Sequence, residues 1–232
     1  AEAARVVALR GPGGRRFEGV ITGLLPVGGH DTFRAYQALI DTIRERVGWH
    51  VRLGLASPRY ADEAGSPWHW GPVEFYYMAR RVDLLVVQTY NSGLTAASGA
   101  SPEDYAAWVA EQVRGVLTAV SGGAFTPARP APGPRLRVLF SAPAYPAEPA
   151  TEGGRAPHDP AVETVEAAVE GVRAGLAVVA QTAPQALRPV QGLALYAHTD
   201  GTGRDGYAAY DREWAEWQNA LGPGLQLTPA LP

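Results

Sequence analysis

Five places in this chain carry side chains able to act on a ligand, and each lies in or just before a loop that follows an apolar segment. Trp68-His69-Trp70, with Tyr60, Tyr76 and Tyr77 nearby, is the richest aromatic patch. Indoles stack on the C–H faces of sugar rings, so Trp68 and Trp70 have the chemistry of a carbohydrate subsite; the same rings could instead pack their loop onto the domain. Tyr90-Asn91 and Tyr145 either hydrogen-bond a substrate or cap the strands that they end. Asp62 and Glu63 read as solvated charges, and Glu63 becomes a candidate general acid only if its loop folds inward. His198 and Asp200 follow the last strand and offer the same choice, a polar rim or a reacting pair. Gly201 to Gly206 spells G-x-G-x-x-G, but no full strand and no acid-ended second strand follow it, so it reads as a glycine-rich loop. No nucleophile elbow, zincin helix or phosphate loop is spelled anywhere.

Composition narrows the partners. The net charge of −3, with 46% hydrophobic and 19% charged residues, describes an ordinary globular protein with no electrostatic reason to bind nucleic acid. All 20 basic residues are arginine, scattered along the chain, and there is no cysteine for a disulfide, thiolate metal site or nucleophile. No apolar run approaches the roughly 18 residues of a membrane span. No metal and no cofactor is expected. The 232 residues favour one domain over two.

Strands and helices alternate along the chain. Arg16 to Pro26 reads as a buried parallel strand, apolar on both faces and stopped by proline. Asp31 is the expected N-cap of a helix striped by Phe33, Tyr36, Ile40, Ile43 and Val47. Strands are expected at His50–Ser57, Asp83–Tyr90, Leu136–Ala142 and Gly192–Ala197. A long aromatic loop is expected from Pro58 to Pro72, then a short helix from Val73 to Arg81. Ser101-Pro102-Glu103-Asp104 spells a helix start, with Tyr105, Val109, Val113, Val116 and Val120 behind it. A mobile loop, Pro143 to His158, leads to a helix capped by Asp159-Pro160, with Val162, Val165, Val169, Val172, Leu176 and Val179 at the helical period. Helices at Ala3–Arg10 and Tyr207–Asn219 complete the pattern. The alternation implies a parallel sheet with right-handed crossovers. Loops after strands are the longer and more aromatic ones, which favours a barrel with its site at the strand carboxyl ends over a doubly wound sheet.

Phe17-Glu18-Gly19-Val20 followed by Pro26 resembles the fourth strand of a (β/α)8 glycoside hydrolase of the chitinase-like family 18 class. Asp83 to Asn91 is similar to that family's sixth strand, Leu136 to Tyr145 with its Pro143-x-Tyr145 to the seventh, and Gly192 to Ala197 to the eighth. The resemblance implies a TIM-barrel-like α/β domain over residues 1–232 holding strands 4 to 8 only. Five of eight strands cannot close a barrel, so it also implies a missing N-terminal segment of about 100 residues, or a completing chain.

The family's acids at the end of strand 4 map to Gly23 and Leu25, neither of which moves a proton. The implied protein is a glycan-binding relative without the standard acid, a pseudoenzyme or a hydrolase with Glu63 or Asp200 relocated into the role. Its substrate-binding residues would be Trp68, Trp70, Tyr90, Asn91, Tyr145 and His198, and an extracytoplasmic or cell-envelope setting is favoured. The alternative is a non-catalytic structural or assembly subunit of a cell-envelope complex.

Overall fold

The computed structural model describes residues 19–23, 30–62, 68–123, 135–150 and 155–196. The expected helices at 3–10 and 207–219, Glu18, Leu25, Pro26, Glu63, His198, Asp200 and the 201–206 loop lie outside the described residues. In chain order the elements are β1 (Gly19–Thr22), α1 (His30–Val47), β2 (Arg52–Ser57), β3 (Arg59–Tyr60), β4 (His69–Trp70) and α2 (Pro72–Met78). They continue with β5 (Leu84–Gln88), α3 (Pro102–Ser121), β6 (Arg137–Pro143), α4 (Val165–Thr182) and β7 (Val190–Tyr196). Five strands form one sheet in the order β1-β2-β5-β6-β7. β1 pairs with β2 in parallel, Ile21 opposite Gly54, and β2 pairs with β5 in parallel, Leu55 opposite Leu85.

The described residues fall into two compact units. The first draws on those within Ala1–Gln88, Gly115–Leu139 and Val179–Gln191; the second draws on those within Thr89–Arg114, Phe140–Val178 and Gly192–Pro232.

In the first unit the apolar stripe of α1 buries Phe33, Tyr36, Ile40 and Val47. The helix begins at His30, so Asp31 lies in its first turn and not at the cap. Gly48 ends the helix in the left-handed region at φ 78, its N–H donating to the Arg44 carbonyl. Leu53 and Leu55 of β2 and Leu85 and Val87 of β5 are fully buried. Each such side chain contributes about 1.5–3 kcal/mol of transfer free energy. β1 departs from the expectation of burial on both faces: Ile21 is 58% exposed and lies across Gly54, whose added Cβ would meet its Cγ1 at 2.8 Å.

The stretch from Pro58 to Pro72 is not the plain loop expected, because Arg59 and Tyr60 pair in parallel with His69 and Trp70. At the amino end of β5, Asp83 is salt-bridged to Arg44 at 2.6 Å. Its Oδ2 also accepts from Leu53 N at 2.9 Å, while Arg44 Nη1 donates to the Val51 carbonyl at 2.8 Å. A buried carboxylate with two donors and a buried guanidinium with three acceptors, the Val51 and Arg81 carbonyls and Asp83, offset much of their desolvation, which pins α1 to the start of two strands.

In the second unit, α3 starts as expected. Ser101 Oγ accepts from Asp104 N, and Asp104 Oδ2 accepts from Ser101 N at 2.9 Å. Tyr105, Val109 and Val113 are fully buried. Along α4, Val165, Val169 and Val172 are buried, and Gly171 and Gly175 take up positions where a side chain does not fit. A Cβ on Gly171 would lie 2.4 Å from the Ala106 carbonyl oxygen, and one on Gly175 would lie 2.7 Å from Val113 Cβ. These glycines let α4 approach α3 closely. The start of α4 differs from the expectation: Asp159 organises a turn by accepting from Ala161 N at 3.0 Å, and Thr164 caps the helix by accepting from Ala167 N at 3.1 Å.

Candidate functional site

Parallel strands deliver the residues just past their carboxyl ends to one edge of a sheet, and in the second unit three of those residues are tyrosines. Tyr90 follows β5, Tyr145 follows β6 and Tyr196 ends β7. Tyr90 and Tyr196 stack with centroids 4.8 Å apart and planes inclined at 12°. Tyr145 meets both edge-on, at 5.8 Å from Tyr90 and 5.5 Å from Tyr196. Tyr90 and Tyr145 are 7% exposed, whereas Tyr196 is 40% exposed and presents the open surface of the cluster. Burial pushes the Tyr145 phenol well up, and the charge of Glu163 adds to it. Tyr105, fully buried, is raised in the same way and donates its hydroxyl proton to the Thr89 carbonyl.

Beneath the rings lies a polar network. Tyr145 donates from its hydroxyl to Asn91 Oδ1 at 2.8 Å, and Asn91 Nδ2 donates to the Ala156 carbonyl at 2.9 Å. Asn91 stands at φ 55, the left-handed conformation that asparagine tolerates better than most residues. Glu163, 1% exposed, accepts four hydrogen bonds: Oε2 from Asn91 N at 2.9 Å and from His158 Nδ1 at 2.6 Å, Oε1 from Ser92 N and Ser92 Oγ, each at 2.5 Å. His158 Nε2 lies 3.1 Å from the Tyr145 carbonyl, so each ring nitrogen faces an acceptor; a neutral imidazole donates to only one of the two, and the Nδ1–H tautomer serves Glu163. Ser92, His158 and Glu163 do not form a nucleophile relay, because the serine hydroxyl bonds to the carboxylate and not to the imidazole. The loop after β6 is tied at its base by an antiparallel bridge between Glu148 and His158 and by the Arg155–Glu148 salt bridge at 2.6 Å. The described ends of the segment expected to be mobile are therefore anchored.

Of the residues singled out from sequence, Tyr90, Asn91 and Tyr145 come together. Asn91 and the Tyr145 hydroxyl are engaged with each other, which is the strand-capping alternative. Trp70 is a correction to the ligand-stacking expectation: it is 1% exposed, with Phe33 at 5.7 Å, Phe75 at 5.6 Å and Tyr36 at 6.1 Å around its indole. An indole enclosed by three rings has no face left for a sugar. Trp68, in the same unit as Trp70, is half-buried. Asp62 is exposed and accepts from the Tyr60 hydroxyl at 2.8 Å, and the Tyr60 phenol is pushed up to about 12 by desolvation first and by Asp62 second. The sequence reading missed Tyr196, Glu163, His158 and Ser92. Tyr196 was the last aromatic of an assigned strand, and its position at a carboxyl end was the available signal. Glu163 is an acid preceding a helix, a pattern that usually marks a solvated first turn. Among the described residues no group of three or more histidines, acids or cysteines has the arrangement of a metal site.

No family model and no curated protein matches this sequence. Among solved structures, the chain is similar to a class V chitinase from Pseudomonas fluorescens Pf-5 at 14% identity, covering 95% of this chain and 70% of that one with a TM-score of 0.50. It also aligns with the Bacillus cereus spore cortex-lytic enzyme SleL at 15% identity, over 67% of this chain and 33% of that one, with a TM-score of 0.37. The fold is glycoside-hydrolase-like: a mixed α/β chain with a parallel five-stranded sheet, corresponding to part of a TIM barrel. At these identities the likeness concerns the fold alone, and activity has to be argued from the site.

Proposed function

We propose that the protein is a glycoside-hydrolase-like module that binds oligosaccharide at the tyrosine cluster and lacks the standard catalytic acid. The observation that carries this reading is Tyr196, stacked on Tyr90 and 40% exposed at the carboxyl end of β7, which offers a rigid aromatic face to the C–H side of a pyranose ring. Two neighbours already immobilise that face, so little ordering entropy is lost when a ring settles on it. The class V chitinase of similar fold directs the choice of ligand toward N-acetylglucosamine oligomers.

Hydrolysis is a different matter. The two carboxylates whose charges act on Tyr145 are Glu163 and Glu148. Glu163 is an acceptor of four hydrogen bonds and Glu148 is paired with Arg155, so neither is placed to protonate a leaving group. Gly23, where the family resemblance would put an acid, has no side chain that titrates.

Calorimetric titration with chitin-type and peptidoglycan-type oligosaccharides tests the reading. Wild type binds, and Tyr196→Ala binds about tenfold more weakly, ~1.4 kcal/mol, with its far-UV spectrum unchanged. Equal affinity in Tyr196→Ala would place the site elsewhere. Absence of binding across both ligand classes would leave the scaffold or assembly role.

A further inference from the structure

We propose that Glu163 is a built-in anionic ligand of the turn after β5, and that through this turn it is the positioning residue for the tyrosine cluster; the second half of this statement rests on the oligosaccharide-binding reading. Consecutive backbone N–H groups that converge around a left-handed residue form a concavity suited to an anion. The turn at Asn91, with φ 55, has that form, and the N–H groups of Asn91 and Ser92 both point at the Glu163 carboxylate. The chain thus fills its own anion site with a side chain from more than seventy residues later, at 1% exposure.

From the carboxylate the contacts close a ring. Glu163 holds the Asn91 backbone, the Asn91 side chain holds the Tyr145 hydroxyl, the Tyr145 carbonyl meets His158, and His158 returns to Glu163. The imidazole also lies 4.1 Å from the Tyr145 ring, so the ring is held at its hydroxyl, at its backbone and across its face. Tyr145 in turn sets the edge against which Tyr90 and Tyr196 stack. Without the carboxylate, two backbone N–H groups, the Ser92 hydroxyl and His158 Nδ1 lose their partner together, the left-handed turn is no longer held, and Tyr145 loses the partner that fixes its hydroxyl. The ligand itself never touches Glu163.

The test is anion rescue of Glu163→Ala, read by amide hydrogen exchange and by oligosaccharide titration. Exchange at the Asn91 and Ser92 amides is expected to quicken about 100-fold in E163A, while amides of β5 and α4 keep their protection. Affinity is expected to fall about tenfold. Added formate, small enough for the vacated site and a carboxylate, restores both slow exchange and affinity; chloride at equal ionic strength restores neither. Glu163→Gln fills the space with an amide, so its exchange is also faster than wild type but does not respond to formate. Wild-type exchange in E163A, or exchange in folded E163A that formate leaves unchanged, overturns the proposal. Should E163A not fold, unchanged exchange in E163Q overturns it equally. If wild type binds no oligosaccharide, the binding reading fails by itself, and the exchange data still decide whether Glu163 serves as the anion of this turn. If exchange responds as expected while affinity does not, the turn role stands and the positioning role is refuted.

Discussion

Replacing Asp83 by asparagine should cost this protein a large part of its stability without touching the tyrosine cluster. The Asp83 carboxylate and Arg44 guanidinium meet at 2.6 Å with side chains only 11% and 6% exposed. Asparagine keeps the shape and an acceptor for Leu53 N, so the substitution isolates one change: the guanidinium stays buried and charged opposite a neutral amide. Removing one partner of a buried pair costs about 3–5 kcal/mol, because the remaining charge has lost its counterion but not its desolvation cost. For a chain of this length 1 kcal/mol moves the melting temperature by about 2–4 °C, so Asp83→Asn should melt roughly 6–20 °C below wild type. Circular dichroism melting with a urea titration gives both the midpoint and the slope. The double variant Arg44→Met with Asp83→Leu removes both charges but leaves Leu53 N and the Val51 carbonyl without these partners, so it should fall between wild type and the single variant. An Asp83→Asn protein melting within about 2 °C of wild type would refute the reasoning, and would mean that water reaches the pair in solution.

Two further outcomes follow from the packing and the titration of the second unit. Gly171→Ala puts a Cβ 2.4 Å from the Ala106 carbonyl oxygen and 2.6 Å from Val109 Cβ, backbone and branched side chain that cannot swing away. It should destabilise by about 1–3 kcal/mol despite alanine's better helix propensity, and a melting temperature at or above wild type would show that α3 and α4 separate freely. Asp159 is held below its ordinary carboxyl value of 3.8, first by the Ala96 N–H and then by the Ala161 N–H. A depressed folded value stabilises above 3.8 and loses that stabilisation as pH falls through the folded value, so the wild type's advantage over Asp159→Asn should shrink below that point. An advantage in urea melts that stays constant down through the acid range would remove the carboxylate from the account.

The parts of the fold that proved legible are those governed by periodicity and caps. Tyr105, Val109, Val113, Val116 and Val120 were picked by helical spacing and are all fully buried, and the Ser101–Asp104 exchange of hydrogen bonds is the one its spelling announces. The strand of Asp83 to Tyr90 was found because apolar runs bounded by polar ends are a local signal. What local signals do not contain is the partner. Trp70 reads the same whether its indole faces a ligand or Phe33 and Phe75; only the packing of α1 and α2 around it decides. Glu163 was illegible for a related reason. Its meaning comes from Asn91 and Ser92, more than seventy residues away, and sequence spacing carries no information about a contact of that range. Tyr90, Asn91 and Tyr145 are legible as a group because strand ends are predictable, although whether they would face a ligand or each other is not.

The bridge between Glu148 and His158 has a consequence for how this domain can vary. It closes the segment after β6 at its base, with backbone bonds of 3.1 and 2.8 Å, and the contacts that matter to the tyrosines, from Ala156 and His158, lie on the His158 side. Pro149 and Ala150, beside Glu148, are exposed. Chain added there lengthens a loop whose ends are already held together, and doubling such a loop costs only about 0.6 kcal/mol. Length can therefore change beyond Glu148, residue by residue, while the contacts from Ala156 and His158 that orient the rings stay fixed: a division between a variable margin and a constant base.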